Sequence, residues 1–310
     1  MAEAELIEDG GEAASSVEFF RCPPYLAAEE ATHTLRVEAA DGVLVAPLIV
    51  RAVPGGEGRD AVSPYGYPGV VPTYPGGAIE AGDVDWSATG LVSLFLRGTA
   101  LGPYPLPGAE RGTLQISDPA EERKSRMSDR QQIRRNEASG FVVETLPGPE
   151  VSADQKSSFE QAYEETMTRT DAAPRYFFGS EWFEAVFSSR RTWLVLVNSP
   201  DGDVAAGSIG ALSDGVLHYF LSGTADDHLH EAPMKNAIVA LQDLSDELGA
   251  PLNLGGGLRP GDGLEEFKRG FANRQAPFIA HEVICDPDAY DRLSTGCAAG
   301  DFFPAYRAPG

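Results

Sequence analysis

The residues best suited to chemistry lie in one short segment near the C-terminal end. Lys268 sits beside Phe267, and Phe271 follows four positions after Phe267, so the two rings share one face if the segment is helical. Buried rings would give the lysine a dry neighbourhood and a fixed position. An ammonium group in such a place can stabilise the oxyanion that develops during acyl transfer. The alternative is an ordinary surface lysine.

Three consecutive glycines, Gly255, Gly256 and Gly257, precede this segment and follow a short strand-like run. Glycine permits close approach of the backbone to a ligand or to another part of the chain. The spacing matches neither the dinucleotide-binding motif nor the phosphate-binding P-loop. The triplet therefore indicates either a turn that shapes a ligand cleft or a purely structural sharp turn.

Other familiar catalytic arrangements are missing from the sequence. No Gly-x-Ser-x-Gly nucleophile motif occurs, and the five histidines do not have zinc-site spacing. The three cysteines are far apart and odd in number, which argues against both a metal site and a disulfide framework. We therefore expect no metal, no cofactor and a cytoplasmic location.

The formal net charge of −23 argues against wholesale binding to nucleic acid or to anionic membranes. Residues 123–135 are an exception, because they hold six of the 24 lysines and arginines. They form either a solvated helix face balanced by nearby acidic residues or a contact surface for phosphates. If the surface contacts phosphates, the candidate residues are Arg130, Arg134 and Arg135.

The helices and strands predicted around these residues indicate an α+β fold with mixed sheets. Alternating apolar residues and Asp-Gly turns predict a hairpin over 34–51 and a three-stranded meander over 192–222. Helices are predicted over 84–98, 118–135, 152–169, 180–187 and 232–248, and from 262. Further strands are predicted over 111–117, 141–146, 251–254 and 277–284.

The length of 310 residues favours two domains. We predict a first domain over 19–146 and a second over 147–290, with similar elements in both. The acidic, Ala- and Gly-rich residues 1–18 are predicted to be a disordered tail, and residues 291–310 a C-terminal tail. No run of eighteen apolar residues occurs, so no membrane span is expected.

Several segments together resemble the Fem-type (FemABX-like) aminoacyl transferases, and the resemblance spans most of residues 19–285. Its most specific part is the Phe-Lys-x-x-Phe pattern within GLEEFKRGF at 263–271. The other segments are SPYGYPG at 63–69, RQQIRRNEASGFVV at 130–143, YEETMTR at 163–169, YF at 176–177, HYFLSGT at 218–224 and LGGG at 254–257.

The resemblance implies two GNAT-like domains with mixed sheets flanked by helices. It implies that Lys268 stabilises the charge on the acyl carbonyl, that Phe267 lines the site and that Tyr219 faces the same cleft. Further substrate contacts are expected from Arg169, Arg175, Gly255, Gly256, Tyr65 and Tyr67. For the two tyrosines, anchoring of their own loop is the alternative.

Fem-type proteins place an amino acid from aminoacyl-tRNA on a free amine, so the expected partners are aminoacyl-tRNA and a peptide acceptor, free or bound to a carrier protein. The acidic charge favours a soluble peptide, as in the antibiotic-pathway branch with its pacidamycin-type alanyl transferases. A peptidoglycan precursor is the other candidate acceptor.

An acyl-CoA-dependent GNAT N-acyltransferase is the alternative function. It requires a glycine-rich pyrophosphate loop before a helix, whereas residues 223–232 are acidic and glycine-poor. A binding module without activity is a third possibility.

Overall fold

The computed structural model describes residues 1–73, 82–297 and 300–308. The chain forms two compact units, one made of Met1–Arg111 with Pro277–Gly310 and the other of Gly112–Ala276. These limits differ from the predicted boundary between residues 146 and 147. The second unit begins earlier because residues 115–117 pair with residues 252–255 of that unit, and the first unit gains a strand when the chain returns to it after residue 276.

The strands, in chain order, are β1 (Ala2–Ile7), β2 (His33–Ala39), β3 (Gly42–Ala52), β4 (Arg59–Val62), β5 (Val71–Pro72), β6 (Val84–Asp85), β7 (Ser93–Arg97), β8 (Ala109–Ser117), β9 (Val142–Pro147), β10 (Thr192–Asn198), β11 (Val204–Ser213), β12 (Val216–Thr224), β13 (Leu252–Gly255) and β14 (Arg274–Ile284). The α-helices are α1 (Pro23–Ala28), α2 (Met127–Ala138), α3 (Ala153–Arg169), α4 (Ser180–Phe187), α5 (Met234–Leu248), α6 (Gly263–Arg269) and α7 (Pro287–Ser294). The α+β prediction is confirmed.

The first unit is built on a mixed sheet with the strand order β6-β1-β2-β3-β4-β7-β14, and β5 pairs with β3. The pairs β1–β6 and β4–β7 are parallel. Its core consists of aliphatic side chains such as Leu35, Leu44 and Leu94, which are fully buried. The predicted C-terminal tail belongs to this unit: the Tyr306 hydroxyl lies 2.6 Å from the Ser93 hydroxyl. Residues 298–299 and 309–310 of that tail lie outside the described residues.

The prediction of a disordered tail is wrong for the first residues of the chain. β1 pairs in antiparallel fashion with β2, and Ala2 and Ala4 are buried while Glu3 and Glu5 are exposed. The segment alternates small apolar and acidic residues, which is a strand pattern with one buried face. The acidic residues lie only on the exposed face of the strand, so the composition of the segment wrongly indicated disorder.

The predicted helix over 84–98 is also wrong. The segment forms β6, a 3-10 turn at Ser87–Thr89 and β7. Gly90 adopts a positive φ of 62° that ends the turn, and β7 is then covered on both sides by neighbouring strands. A short apolar run does not distinguish a buried strand from a buried helix by periodicity alone.

The second unit has the strand order β8-β13-β12-β11-β10-β9, in which only the β12–β13 pair is parallel. α3 packs against β11 and β12, and α5 packs against β10 and β11. The predicted helices at 152–169, 180–187 and 232–248 and the meander at 192–222 are confirmed to within two residues. Ser152 and Gln155 form a capping box at the start of α3, and Gly249 ends α5 with a φ of 61°.

The predicted helix over 118–135 begins only at Met127. Asp118 has the character of a helix N-cap, but tertiary contacts hold it in a different conformation. Its N–H donates to the Asn273 side chain at 2.8 Å, its carbonyl accepts from that same side chain at 2.9 Å, and its carboxylate pairs with Arg274 at 3.1 Å. Residues 118–126 therefore run as an irregular segment.

The strand β1 can be tested with Ala4→Asp. Ala4 is 1% exposed, so we expect the buried carboxylate to lower the free energy of unfolding by about 2 kcal/mol or more. Urea unfolding followed by circular dichroism measures this, with Glu3→Gln on the exposed face as the control. Equal stability of both variants and the parent protein would mean that the segment is not part of the sheet.

Candidate active site

The segment that follows β13 in the second unit forms a glycine turn and then the short helix α6. Asp262 caps this helix, because its Oδ1 accepts from the N–H of Glu265 at 2.8 Å. Its Oδ2 accepts from the N–H groups of Leu258 and Arg259 at 2.7 and 2.9 Å. One carboxylate therefore fixes both the end of the turn and the start of the helix.

Lys268 extends from α6 towards this turn. The residue is 9% exposed, and its Nζ donates a hydrogen bond to the Gly256 carbonyl at 2.7 Å. Among the described residues only that carbonyl accepts from Nζ, so two of the three ammonium donors are available to a ligand. Burial lowers the pKa of Lys268 to about 8, opposed by the charge of Asp262. The ammonium therefore keeps its proton at neutral pH.

The glycine triplet is required on steric grounds. Gly255 has a φ of 77°, and a Cβ there would lie 3.1 Å from the Lys268 Nζ. A Cβ on Gly256 would lie 2.7 Å from the Thr113 carbonyl oxygen of β8, and one on Gly257 would lie 2.3 Å from the Asp262 Oδ1. The absence of side chains thus allows β8, the turn and the lysine to approach closely.

Aromatic groups surround the lysine. The centre of the Tyr219 ring lies 5.8 Å from the Lys268 Nζ, within range of a cation–π interaction. The Tyr219 hydroxyl lies 2.6 Å from the Ser222 hydroxyl, and burial raises the pKa of Tyr219 to about 12, so the phenol stays neutral. Phe267 packs edge to face on the buried Phe271 at 5.6 Å. The structure therefore brings together Lys268, Tyr219, Gly255 and Gly256, while the Phe267 ring packs against Phe271 and the hydrophobic core, so its predicted role in lining the site stays a prediction.

Two polar residues beneath the turn were missed by the sequence analysis. The Asn253 Oδ1 accepts from the N–H of Gly255 at 2.8 Å, and the Asn253 Nδ2 lies 3.2 Å from the His218 Nδ1. Both residues are buried, and burial lowers the pKa of His218 to about 3. An asparagine between two buried leucines, directly before the glycines, was the available signal.

Arg169 and Arg175 make their contacts elsewhere in the second unit. Arg169 at the end of α3 forms an ion pair with Asp226, and the Arg175 guanidinium lies 4.9 Å from the Tyr176 ring centre. Arg169 borders a shallow depression lined by Gln161, Glu164, Glu165, Thr168 and Asp226. Its three carboxylates disfavour an anionic ligand at that position.

Tyr65 and Tyr67 lie in the first unit and contact other residues of that unit. The Tyr65 carbonyl accepts from the Tyr25 hydroxyl at 2.9 Å. The Tyr67 ring packs edge to face on Phe20 and on Phe278, with centroids 5.9 Å apart in each case. These contacts are those of an anchored loop, and a role in substrate binding stays a prediction.

The basic stretch is partly neutralised within the second unit. Arg123 pairs with Asp243 and Asp246 at 2.7 and 2.5 Å, and Arg126 pairs with Glu266 at 3.2 Å. The side chains that remain on the surface are Lys124, Arg130, Arg134 and Arg135.

The helix α2 buries one of its two acidic residues, Asp129, while Glu137 and the arginines are exposed. Asp129 is buried and pairs with Lys235 of α5 at 2.9 Å, whereas Arg130 and Arg134 lie one turn apart on the exposed side. The inward position of Asp129 leaves this surface more basic than the sequence composition suggests.

Comparison with known proteins shows which folds this architecture resembles. Residues 123–250 match the family model described as an acetyltransferase (GNAT) domain. The crystal structure of FemX superposes with a TM-score of 0.60 over 90% of this chain and 97% of its own, at 12% sequence identity. The chain has a Fem-like GNAT fold.

Two other solved structures share the fold. The C-terminal DUF2156 domain of a candidate lysylphosphatidylglycerol synthetase from Agrobacterium fabrum has a TM-score of 0.59 at 14% identity, covering 90% of this chain and 93% of its own. L-PGS from Bacillus licheniformis has a TM-score of 0.53 at 12% identity, covering 84% and 87%. A search of curated protein sequences gave no significant match.

The GNAT match over residues 123–250 supports a transferase-type enzyme, and the solved structures support the Fem-like fold. Within the described part of the chain, none of the helices is both long and apolar enough to span a membrane. The Lys268 site lies wholly within the second unit, although β13 and α6 fall just beyond the end of the GNAT match at residue 250.

The buried ammonium makes a testable contribution to stability. The pKa of Lys268 is lower in the folded chain than its ordinary value of 10.5, so burying the charged form costs stability below pH 8, and this cost disappears between pH 8 and 10.5. We expect Lys268→Met to raise the free energy of unfolding by about 1–2 kcal/mol at pH 7, after the lost hydrogen bond to Gly256 is subtracted.

Urea unfolding at pH 7 and at about pH 9.5 measures this difference, which should shrink at the higher pH as the parent protein loses the proton. Lys156→Met is the control, since the Lys156 ammonium pairs with the exposed Glu184 at 2.6 Å. A Lys268→Met variant that is less stable than the parent protein at pH 7 would contradict the expected cost of burial.

Proposed function

We propose that the protein transfers an amino acid from aminoacyl-tRNA to the free amine of a peptide acceptor and so forms a peptide bond. The observation that carries the proposal is the Lys268 ammonium, which is buried, protonated at neutral pH and fixed to the Gly256 carbonyl with two donors to spare. A fixed cationic donor in a dry site is the feature that acyl transfer through a tetrahedral oxyanion requires.

The reaction needs little else from the enzyme, because the ester of aminoacyl-tRNA is already activated. The acceptor amine attacks the ester carbonyl carbon, the new C–N bond forms, and the carbonyl oxygen takes the negative charge beside the Lys268 Nζ. The C–O ester bond then breaks, and the ribose hydroxyl leaves with a proton that the amine has lost. The neutral Tyr219 ring, 5.8 Å from the Lys268 Nζ, is placed to limit the access of water to the reacting groups.

The charge distribution supports tRNA as the donor in spite of the overall charge. Of the 24 basic residues, 16 lie in the second unit, and Arg130, Arg134 and Arg135 are exposed on one helix. Phosphate contacts by such groups give binding without sequence specificity. We assign this helix α2 to the tRNA backbone.

The residues before α5 argue against acyl-CoA as the donor. In this position a GNAT acyltransferase would hold the pyrophosphate of CoA, but the chain forms a 3-10 turn at Asp226–Glu231 that carries Asp226, Asp227 and Glu231. These carboxylates repel a pyrophosphate. The acetyltransferase family match keeps acyl-CoA as the alternative, and submicromolar binding of acetyl-CoA in a calorimeter would reverse our ranking.

The acidic surface supports a soluble acceptor. A net charge of −23 disfavours contact with anionic lipid surfaces, most strongly at low salt. A peptide amine, free or bound to a carrier protein as in peptide-antibiotic assembly, avoids that repulsion, whereas a peptidoglycan precursor on its lipid carrier does not. We therefore propose a cytoplasmic enzyme that acts on a peptide intermediate.

Transfer of label from charged tRNA tests the proposed function. Purified protein, a mixture of tRNAs charged with radiolabelled amino acids and a panel of small peptides with free amines should give labelled peptide. Treatment of the charged tRNA with RNase before the assay should abolish the product. Product formed undiminished after RNase treatment, or formed only with acyl-CoA, would exclude aminoacyl-tRNA as the donor.

In that assay Lys268→Ala should lower the rate by about 10²-fold or more, since loss of one oxyanion donor typically has that effect. Circular dichroism should show that the variant remains folded. Lys156→Ala serves as the control, because it removes a lysine ammonium that contacts Glu184 instead of the glycine turn. A loss smaller than about threefold would remove Lys268 from the mechanism.

A further inference from the structure

We propose that Asn253 is a positioning residue for Lys268, because its side-chain amide holds the glycine turn in the conformation that presents the Gly256 carbonyl to the lysine Nζ. The inference rests on the proposed function only for its effect on catalysis. The effect on the lysine itself is a property of the turn, and it can be measured without a substrate.

The orientation of the Asn253 amide follows from its two partners. Its Oδ1 accepts from the N–H of Gly255 at 2.8 Å, so its Nδ2 is the atom that lies 3.2 Å from the His218 Nδ1 and donates to it. The neutral imidazole must then carry its proton on Nε2. The low pKa of His218 keeps the ring neutral at neutral pH.

The strand register explains why these two residues meet. β12 and β13 are parallel neighbours, and His218 is the partner of Asn253 in that pairing. Leu217 and Leu252 face the hydrophobic core beside α5, so the next residue on each strand faces the opposite side of the sheet. The polar groups of this buried pair have partners in each other, in the Gly255 N–H and, for His218, in the backbone of Ser213.

The turn needs such a restraint because glycine supplies none. Gly255 adopts a φ of 77°, which glycine visits freely but does not hold. Accepting from the Gly255 N–H fixes the orientation of the Leu254–Gly255 peptide at the start of the turn. The Gly256 carbonyl, two peptide units further along, is the one that accepts from Lys268 at 2.7 Å. Asn253 thus acts on the ammonium through this short stretch of backbone, without contacting it.

The lysine offers a direct readout, since the chain has only four lysines: Lys124, Lys156, Lys235 and Lys268. In protein labelled with ¹³C-lysine, the Cε signal of Lys268 is the one missing from Lys268→Met. Titration of that signal gives its pKa. In Asn253→Ala we expect the pKa to rise from about 8 towards 10.5, because a released turn admits water to the ammonium.

Asn236→Ala is the matched control, as Asn236 is another buried asparagine of the second unit whose Oδ1 accepts from the Asn136 side chain at 2.8 Å. It should lower the melting temperature without moving the Lys268 signal. If Asn253→Ala does not fold, His218→Leu removes the other partner of the amide, and we expect a smaller rise in the same pKa.

In the transfer assay Asn253→Ala should lower kcat about tenfold or more and change KM for the charged tRNA little, since a displaced donor affects the transition state most. A Lys268 pKa that is unchanged in the variant overturns the positioning role, whatever the activity. If the pKa rises but the parent protein transfers no amino acid from tRNA, the proposed donor is wrong and the positioning role stands.

Discussion

The hydrogen bond between the Lys268 ammonium and the Gly256 carbonyl is the constraint on which the rest of this site depends. An ammonium that is 9% exposed has lost most of its hydration and needs compensation from the protein. One carbonyl at 2.7 Å, a tyrosine ring at 5.8 Å and the charge of Asp262 provide it. The compensation is incomplete, as the lowered pKa of the lysine indicates. The Lys268 ammonium would therefore be stabilised further by a negatively charged oxygen, such as the oxyanion of an acyl-transfer intermediate.

The backbone of the turn is held from two directions so that this carbonyl is in place. Asp262 fixes the end that leads into α6, and Asn253 fixes the end that comes from β13. The three glycines between them contribute no side chains and therefore leave room for β8 and for the lysine. The side chains of Asn253 and Asp262 thus restrict the conformation of this glycine turn, and glycine permits the φ angles that the turn needs.

Local patterns predicted the second unit well, because its elements are long and amphipathic. The helices α3 and α5 have clear apolar faces with a capping box or a terminal glycine, and the meander is marked by Asp-Gly turns. The glycine triplet and Lys268 were recognisable as a candidate site, because all four residues lie within one segment of the sequence. The family resemblance added Tyr219, whose ring the strand order then placed beside the lysine.

The predictions that failed depended on partners far away in the sequence. β1 forms because β2 buries its alanines, and Asp118 does not start a helix because Asn273 and Arg274 hold it. Asn253 was missed because its partner His218 lies 35 residues away. Local sequence marks Asn253 as unusual but does not identify its partner, and only the register of two parallel strands brings that pair together.

The positions of charged residues in the fold also bear on the conflict between the acidic chain and the proposed tRNA donor. Net charge acts at distances beyond the Debye length of about 8 Å only weakly at physiological salt, so a polyanion responds mainly to the charges it touches. α2 buries Asp129 against Lys235 while Arg130 and Arg134 stay outside. The sign of the local surface is therefore set by which residues the helix turns inward, and a strongly acidic protein can present a basic helix to a phosphate backbone while its remaining surface discourages non-specific contact.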